Sequence, residues 1–253
     1  MMRSLVRRDR VIIIAALVPV LLLSWAYVIA IANYMTDPSA DMATMPGMGP
    51  WRALDAAFMF LMWVVMMIAM MTPTVIPTLY LFTSIWENRE GTGSVRSATA
   101  ALLSGYLAAW AGFSSLATAL QWALHTAALL SPMEMNVNAK LGGTLLIAAG
   151  VYQFTPMKRA CLSKCRSPLG FFLSEWRGGA RGAFAMGWSL GLYCVGCCWL
   201  LMALLFVVGA MYVAWIAALV VVVLIEKLAP GGEWVARGIG LIACLGGVWL
   251  LAS

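Results

Sequence analysis

A chain of 253 residues that is 63% hydrophobic and only 10% charged is too apolar to fold as a water-soluble domain. Several of its apolar runs approach the roughly 20 residues that cross a bilayer as a helix, and they lack the alternating pattern of barrel strands. The composition therefore predicts an all-α, polytopic transmembrane helical bundle. The net charge of +6 then reflects orientation in the membrane rather than binding of nucleic acid.

Apolar runs predict about seven spans, or six if the first is removed as a signal peptide. If the N-terminus is cytoplasmic, only Arg52 and Lys140 of the 16 basic residues fall outside, which predicts N-in, C-out topology. We expect one integral membrane domain over 1–253, with 11–33 as an uncleaved anchor helix and 55–252 as the core bundle. The predicted spans are 11–33, 55–82, 98–124, 141–157, 183–210, 213–228 and 236–252.

A Pro- and Gly-rich loop outside the membrane joins the first two spans and carries Met42, Met45 and Met48. Thioethers are soft, uncharged ligands that suit Cu(I), so the loop is a candidate capture site. The alternative is a flexible loop whose methionines contact the lipid headgroups.

The second span carries a stripe of sulfur. At 100° per residue, four of its methionines fall within an arc of about 80°, beginning at the membrane face that the first loop occupies. Such a stripe provides soft ligands or, alternatively, adaptable packing. Pro73 and Pro77 are expected to kink or interrupt this helix. The four methionines are Met59, Met62, Met66 and Met70, with Met67 and Met71 beside them.

The third span is rich in Ala, Gly and Ser, which predicts close helix packing. His125, one turn beyond Gln121 at its outer end, is a candidate imidazole ligand at the entry side. The alternative is an interfacial histidine with no partner.

Two cysteines follow the fourth span. Cys161 and Cys165 are four residues apart, so a continuous helix brings both thiols to one face. Four basic neighbours are expected to favour their thiolates, and a cytoplasmic position argues against a structural disulfide. The pair is therefore a candidate metal acceptor or redox pair, and two unpaired cysteines remain the alternative.

Three thiols and a thioether lie in the fifth span, at Cys194, Cys197, Cys198 and Met202. They occupy an arc of about 140°, and two or three soft donors satisfy Cu(I), whereas a closed zinc site requires four ligands. Helix rise places Cys194 at nearly the depth of Met59 and Met62 in the second span.

Small residues offer a rival explanation for these cysteines. Gly187 and Gly191 share their helix face, so the cysteines may extend a packing ridge. Glu226 lies beside Lys227 near the inner end of the sixth span, where pairing or an exit-side role fits better than coordination with the thiols.

Five segments of spans two to six carry a family resemblance. They are Met-Met-Thr-Pro at 70–73, Gly-Val-Tyr-Gln-Phe-Thr-Pro-Met-Lys at 150–158, Cys-Leu-Ser-Lys-Cys-Arg-Ser-Pro at 161–168, Gly-Leu-Tyr-Cys-Val-Gly-Cys-Cys-Trp at 191–199 and Glu-Lys at 226–227. Together they resemble a bacterial family of predicted metal-binding integral membrane proteins. The resemblance implies a bacterial membrane protein that binds metal, with no activity to transfer.

The leading hypothesis is a non-enzymatic, multi-pass protein of the bacterial inner membrane that binds and conducts Cu(I) by exchange between Met and Cys ligands. Its expected partners are membrane lipid and a copper chaperone or copper enzyme, and we expect no nucleic acid, nucleotide or organic cofactor. One alternative is a membrane thiol oxidoreductase that uses Cys194 and Cys197, which have the spacing of a redox pair. The other is a structural or assembly subunit of a membrane complex.

Overall fold

The chain folds into helices throughout the part that the computed structural model describes, which comprises residues 2–36, 51–91, 95–130, 137–209 and 212–252. In these ranges the β-structure is limited to an isolated bridge between Leu130 and Val137. The all-α prediction is therefore confirmed. The helices are α1 (Met2–Thr36), α2 (Ala53–Glu90), α3 (Val95–Thr126), α4 (Ala139–Gln153), α5 (Pro156–Arg166), α6 (Pro168–Ser174), α7 (Gly179–Ala203), α8 (Leu205–Val208), α9 (Val213–Leu228) and α10 (Gly232–Ala252).

Five helical segments in the described ranges are long and apolar enough to cross a membrane, so the chain is a multi-pass membrane protein. The predicted fourth and sixth spans correspond to α4 and α9, whose 15 and 16 residues reach only about 22 to 24 Å. The count of seven spans and the cytoplasmic N-terminus therefore stay predictions. The five segments are Ala15–Tyr34, Ala53–Glu90, Val95–Thr126, Gly179–Val208 and Gly232–Ala252.

One predicted helix boundary is wrong, and one expected helix interruption does not occur. The fourth helix ends at Gln153 rather than at 157, because Pro156 starts α5, whose first turn is capped by the Thr155 side chain. In contrast, α2 continues through Pro73 and Pro77 as one helix of 38 residues. That helix is about 57 Å long, so it extends well beyond a hydrocarbon core of about 30 Å.

Glycines set the closest helix contacts. A Cβ added at Gly187 of α7 would lie 1.9 Å from the Leu102 carbonyl oxygen of α3, and one at Gly105 would lie 2.2 Å from the Phe184 carbonyl oxygen. The backbones of α3 and α7 therefore touch, which confirms the packing role predicted for the third span. Gly150 and Gly240 also bring α4 close to α10, where a Cβ added at Gly150 would lie 2.6 Å from the Gly240 carbonyl oxygen.

A buried ion pair ties α5 to the end of α9. Lys158 Nζ lies 2.8 Å from Glu226 Oε2, both side chains are 1% exposed, and Lys158 also donates to the Gln153 side chain. Arg166 donates to the carbonyl oxygens of Glu226 and Ala229, which caps the last turn of α9. Glu226 therefore pairs with Lys158 rather than with Lys227, whose side chain leaves α9 about 100° further round and contacts Cys194 of α7.

Candidate functional site

The predicted cysteines of α5 and α7 meet at one place in the bundle. Cys194, Cys197 and Cys198 are each 1% exposed, and the sulfurs of Cys197 and Cys198 are 3.2 Å apart. The Cys165 thiol of α5 interacts with those of Cys194 and Cys197. We call these four residues the thiol cluster. Cys165 was predicted to form a metal-acceptor or redox pair with Cys161, whereas the fold joins it to the α7 cysteines.

Gly196 allows α5 to approach α7 this closely. A Cβ added at that position would lie 2.8 Å from the Cys161 sulfur. Cys161 therefore packs on the backbone of α7, while Cys165, one turn later, reaches the thiols. Both cysteines lie on one helix face as predicted, but only Cys165 belongs to the cluster.

Lys227 is the basic side chain that contacts the thiol cluster. Its Nζ lies 2.8 Å from Cys194 Sγ and 3.3 Å from Thr74 Oγ1, and its side chain is buried. The Tyr106 hydroxyl contacts the same sulfur at 3.0 Å. Among the described residues no ion pair joins Lys227 to a carboxylate. Since an uncompensated buried ammonium is costly, the Cys194 sulfur is the group placed to compensate it.

A small cavity lies between these groups and offers about 10 Å³, which is room for roughly one water-sized particle. Of the four cluster thiols, Cys165 and Cys194 line it, one from each helix. The Cys197 thiol instead donates to the Cys194 carbonyl oxygen at 3.1 Å. The cavity therefore presents two sulfurs and one ammonium. Its lining residues are Thr74, Val75, Thr78, Tyr106, Cys165, Leu190, Cys194 and Lys227.

Sequence reasoning missed Thr74 and Tyr106 and gave Lys227 the wrong partner. The available signal was a polar or charged side chain inside an apolar helix, which in a membrane usually faces protein or a cavity. Nothing in the linear spacing shows that Tyr106 of α3 and Lys227 of α9 reach the Cys194 thiol. The same is true of Thr74 of α2, which contacts both of those side chains.

The methionine stripe of α2 is buried but its register differs from the prediction. The Gln121 amide donates to Met59 Sδ at 3.7 Å, and Gln121 lies about 22 Å along α3 from Tyr106, the residue that contacts Cys194. Tyr106 instead donates to the Met71 carbonyl oxygen at 3.4 Å. The predicted alignment of Met59 with Cys194 is therefore wrong, and the Met71 end of the stripe adjoins the thiols.

Thioethers thus run from the level of Gln121 to the level of the thiol cluster, over about 18 Å of α2. Each of the six is at most 8% exposed. Met202 of α7 is also fully buried in this core. Burial shields these sulfurs from water and lipid, as required of either packing groups or soft ligands. The six methionines are Met59, Met62, Met66, Met67, Met70 and Met71.

Cys161 and Cys165 are not the thiolates that their basic neighbours led us to expect. Burial raises the pKa of the Cys161 thiol, and a hydrogen bond to Cys194 raises the pKa of Cys165. The basic side chains point elsewhere, since Lys164 lies near Glu175 and Arg166 binds carbonyl oxygens of α9. The cluster thiol that contacts a basic side chain is that of Cys194, 2.8 Å from Lys227 Nζ.

His125 lies at the opposite end of the bundle from the thiol cluster. It is half-buried, and its ring centroid is 6.0 Å from that of Trp51, so it has an aromatic partner. Of the predicted capture residues, Met42, Met45 and Met48 lie outside the described residues, and a role for His125 at the entry side stays a prediction.

The match to a family model decides the relationship of this chain to known proteins. The model PpoB2, described as a copper chaperone, matches residues 60–250. The chain belongs to this copper chaperone family. The matched region contains the cysteines of α5 and α7, Lys227 and all of the α2 stripe except Met59, and it supports the copper-related function predicted from the sulfur ligands. Comparisons with curated proteins and with solved structures find no match.

The chemistry of the donor atoms decides which residues could hold a metal. In the described ranges, no group of three or more His, Cys, Asp or Glu side chains is arranged as a metal site. Cu(I) does not need such a group, because two or three soft sulfur donors satisfy it. The residues at the cavity, two thiols beside a buried thiolate-stabilising cation, fit a monovalent soft metal as cargo.

Proposed function

We propose that this protein binds Cu(I) at the thiol cluster and passes it through the membrane bundle by exchange between thioether and thiol ligands. The observation that carries the proposal is the buried Cys194 sulfur, held 2.8 Å from the Lys227 ammonium beside a thiol from a second helix. A buried thiolate is a strong ligand for soft metals. No structural role of cysteine in packing requires a buried lysine next to it.

The methionine stripe provides the other part of the proposed route. Neighbouring positions on one helix face are about 5 to 6 Å apart, so an ion can move between adjacent thioethers in short steps. In this route Met59 receives copper near Gln121 and His125, and Met70 and Met71 transfer it to Cys194 and Cys165. The outer methionines at 42, 45 and 48 would supply the first ligands.

We further propose that the chain lies in the bacterial inner membrane with its N-terminus in the cytoplasm. The last turn of α9 carries Lys227, and α10 starts at Gly232, so the thiol cluster lies near the end of the bundle where these two helices join. In the proposed orientation that end is cytoplasmic, which suits exchange of copper with a soluble chaperone or a membrane copper enzyme.

Copper content of the purified protein tests the proposal. The wild type, prepared under reducing conditions, should retain about one Cu(I), and the triple substitution Cys194→Ala, Cys197→Ala, Cys198→Ala should lose it. Cys244→Ala is the matched control, because Cys244 of α10 faces Ile147 of α4 and lies away from the cluster. Equal copper in the wild type and the triple variant would refute the site.

A thiol oxidoreductase is the second candidate, favoured by the interaction of Cys165 with both Cys194 and Cys197. That function requires Cys194 to alternate between a thiol and a disulfide, and it tolerates replacement of the α2 methionines by leucine. Alkylation of the protein in cells, before and after treatment with a reductant, would detect the change. A purely structural subunit would instead tolerate Cys-to-Ala changes and be damaged by Cys-to-Leu changes.

A further inference from the structure

We infer that Lys227 makes the cavity at Cys165 and Cys194 selective for a monovalent soft cation, Cu(I) or Ag(I), over divalent zinc. The inference rests on the proposed function, because it assigns the charge of the metal that the same thiols take. Lys227 acts through the thiolates as a specificity-determining residue and not as a ligand.

The lysine is held in place by groups from three other helices. Thr74 of α2 lies 3.3 Å from its ammonium, Cys194 of α7 lies at 2.8 Å, and Tyr106 of α3 contacts both Thr74 and Cys194. The nearest acidic residue along the chain, Glu226, is committed to Lys158. Lys227 is therefore held in the wall of the cavity, with the Cys194 sulfur as the group that faces its amine.

The charge of the occupied cavity depends on the metal. Cys165 releases its thiol proton when it binds a metal, as cysteine ligands do. The two thiolates of Cys165 and Cys194 together with one ammonium then carry a net charge of −1, so a monovalent cation makes the buried group neutral. A divalent cation leaves one positive charge uncompensated, which is unfavourable inside a protein. Without Lys227 the preference reverses, because two thiolates exactly neutralise a divalent ion.

The number of available ligands also favours Cu(I) over zinc. Cu(I) is satisfied by two sulfurs, while zinc requires about four ligands. Further ligands for zinc would have to come from Cys197, which is bonded to the Cys194 carbonyl oxygen, and from Cys198 beside it. Neither lines the cavity. Zinc therefore needs both a rearrangement of α7 thiols and additional negative charge, whereas Cu(I) needs neither.

Competition between metals tests this assignment. We would titrate the purified full chain with Cu(I) and with Zn(II) against chromophoric chelators, and compare the wild type with Lys227→Leu and Lys227→Arg. Lys227→Leu should lower the ratio of Cu(I) to Zn(II) affinity by about 10- to 100-fold, since one unit charge close to the metal is removed and no sulfur is added. Lys227→Arg, which keeps the charge, should leave the ratio close to that of the wild type.

Lys164→Leu is the matched control, because it removes one positive charge from a half-exposed side chain that lies near Glu175 and outside the cavity. An unchanged metal ratio in Lys227→Leu would overturn the inference. If that variant does not fold, Lys227→Gln replaces it, and a wild type that binds Zn(II) as tightly as Cu(I) overturns the inference without any variant. A wild type that binds Cu(I) nowhere refutes the proposed function instead, so the two failures are distinguishable.

Discussion

The ion pair between Lys158 and Glu226 provides the sharpest test of how the thiol cluster is positioned. Both side chains are 1% exposed and their charged atoms are 2.8 Å apart. The substitution Glu226→Gln keeps the shape of the side chain and removes its charge, which leaves the Lys158 ammonium buried without an anion. Removing one partner of such a pair costs about 3 to 5 kcal/mol. For a chain of this size that corresponds to a fall of roughly 10 °C in Tm.

The same substitution should also disturb the metal site. Lys158 lies in the first turn of α5, about two turns before Cys165, and Arg166 holds α5 to the carbonyl oxygens at the end of α9. If the ion pair orders this junction, Glu226→Gln should weaken copper binding together with stability, although neither residue lines the cavity between Cys165 and Cys194.

Thermal unfolding in detergent, followed by circular dichroism, measures the effect. The control is the double variant Lys158→Met, Glu226→Leu, in which both charges are replaced by apolar groups of similar size. Replacing a whole buried pair in this way is often neutral or stabilising. A Glu226→Gln variant as stable as the wild type, or a double variant as unstable as the single one, would show that the reasoning about this pair is incorrect.

Three further predictions concern the thiols, the helix contacts and the methionines. Cys165→Ala should reduce Cu(I) affinity as strongly as Cys194→Ala, because the two line one cavity, and a copper titration that finds Cys165→Ala unaffected would separate α5 from the site. Gly187→Ala should destabilise the bundle by about 1 to 3 kcal/mol, since its new Cβ meets the Leu102 carbonyl oxygen at 1.9 Å. Gly112→Ala, where a Cβ has nothing within 4 Å, should be neutral or stabilising in the same unfolding assay. Met66→Leu together with Met70→Leu should cost less than about 1.5 kcal/mol each and yet slow copper transfer in proteoliposomes, with exposed Met157→Leu as control. If this variant transfers copper as fast as the wild type, the methionines of α2 serve only to pack the bundle.

Packing and ligand roles are compatible at the α7 face. The predicted ridge of Gly187 and Gly191 does pack directly on α3, where added Cβ atoms would meet Leu102 and Tyr106. The predicted packing ridge therefore exists, and Gly187 and Gly191 form it. One turn further along, however, Cys194 contacts a hydroxyl and an ammonium rather than another backbone. The close approach of α3 and α7 is what brings Tyr106 to the sulfur.

Composition and local pattern were sufficient for the class of protein and for the inventory of donors. A chain with so many apolar runs has to satisfy its backbone polar groups within helices when it enters a bilayer, so the all-α, multi-pass architecture follows from the sequence alone. Cysteine spacing likewise placed Cys194, Cys197 and Cys198 on one buried helix region, because the rise and turn of a helix are the same everywhere.

Only the tertiary structure determined which of those donors meet. The registers of α2, α3, α5 and α7 depend on contacts between residues far apart in the chain, such as Gly187 on Leu102 and Gly196 on Cys161. Depths calculated from the helix rise and assumed membrane boundaries therefore placed Met59 wrongly at the level of Cys194. The same calculation separated Cys165 from the α7 thiols. The partner of Lys227 was likewise decided by which face of α9 the Lys158 and Glu226 pair occupies, and this interaction between helices has no signature in the local sequence.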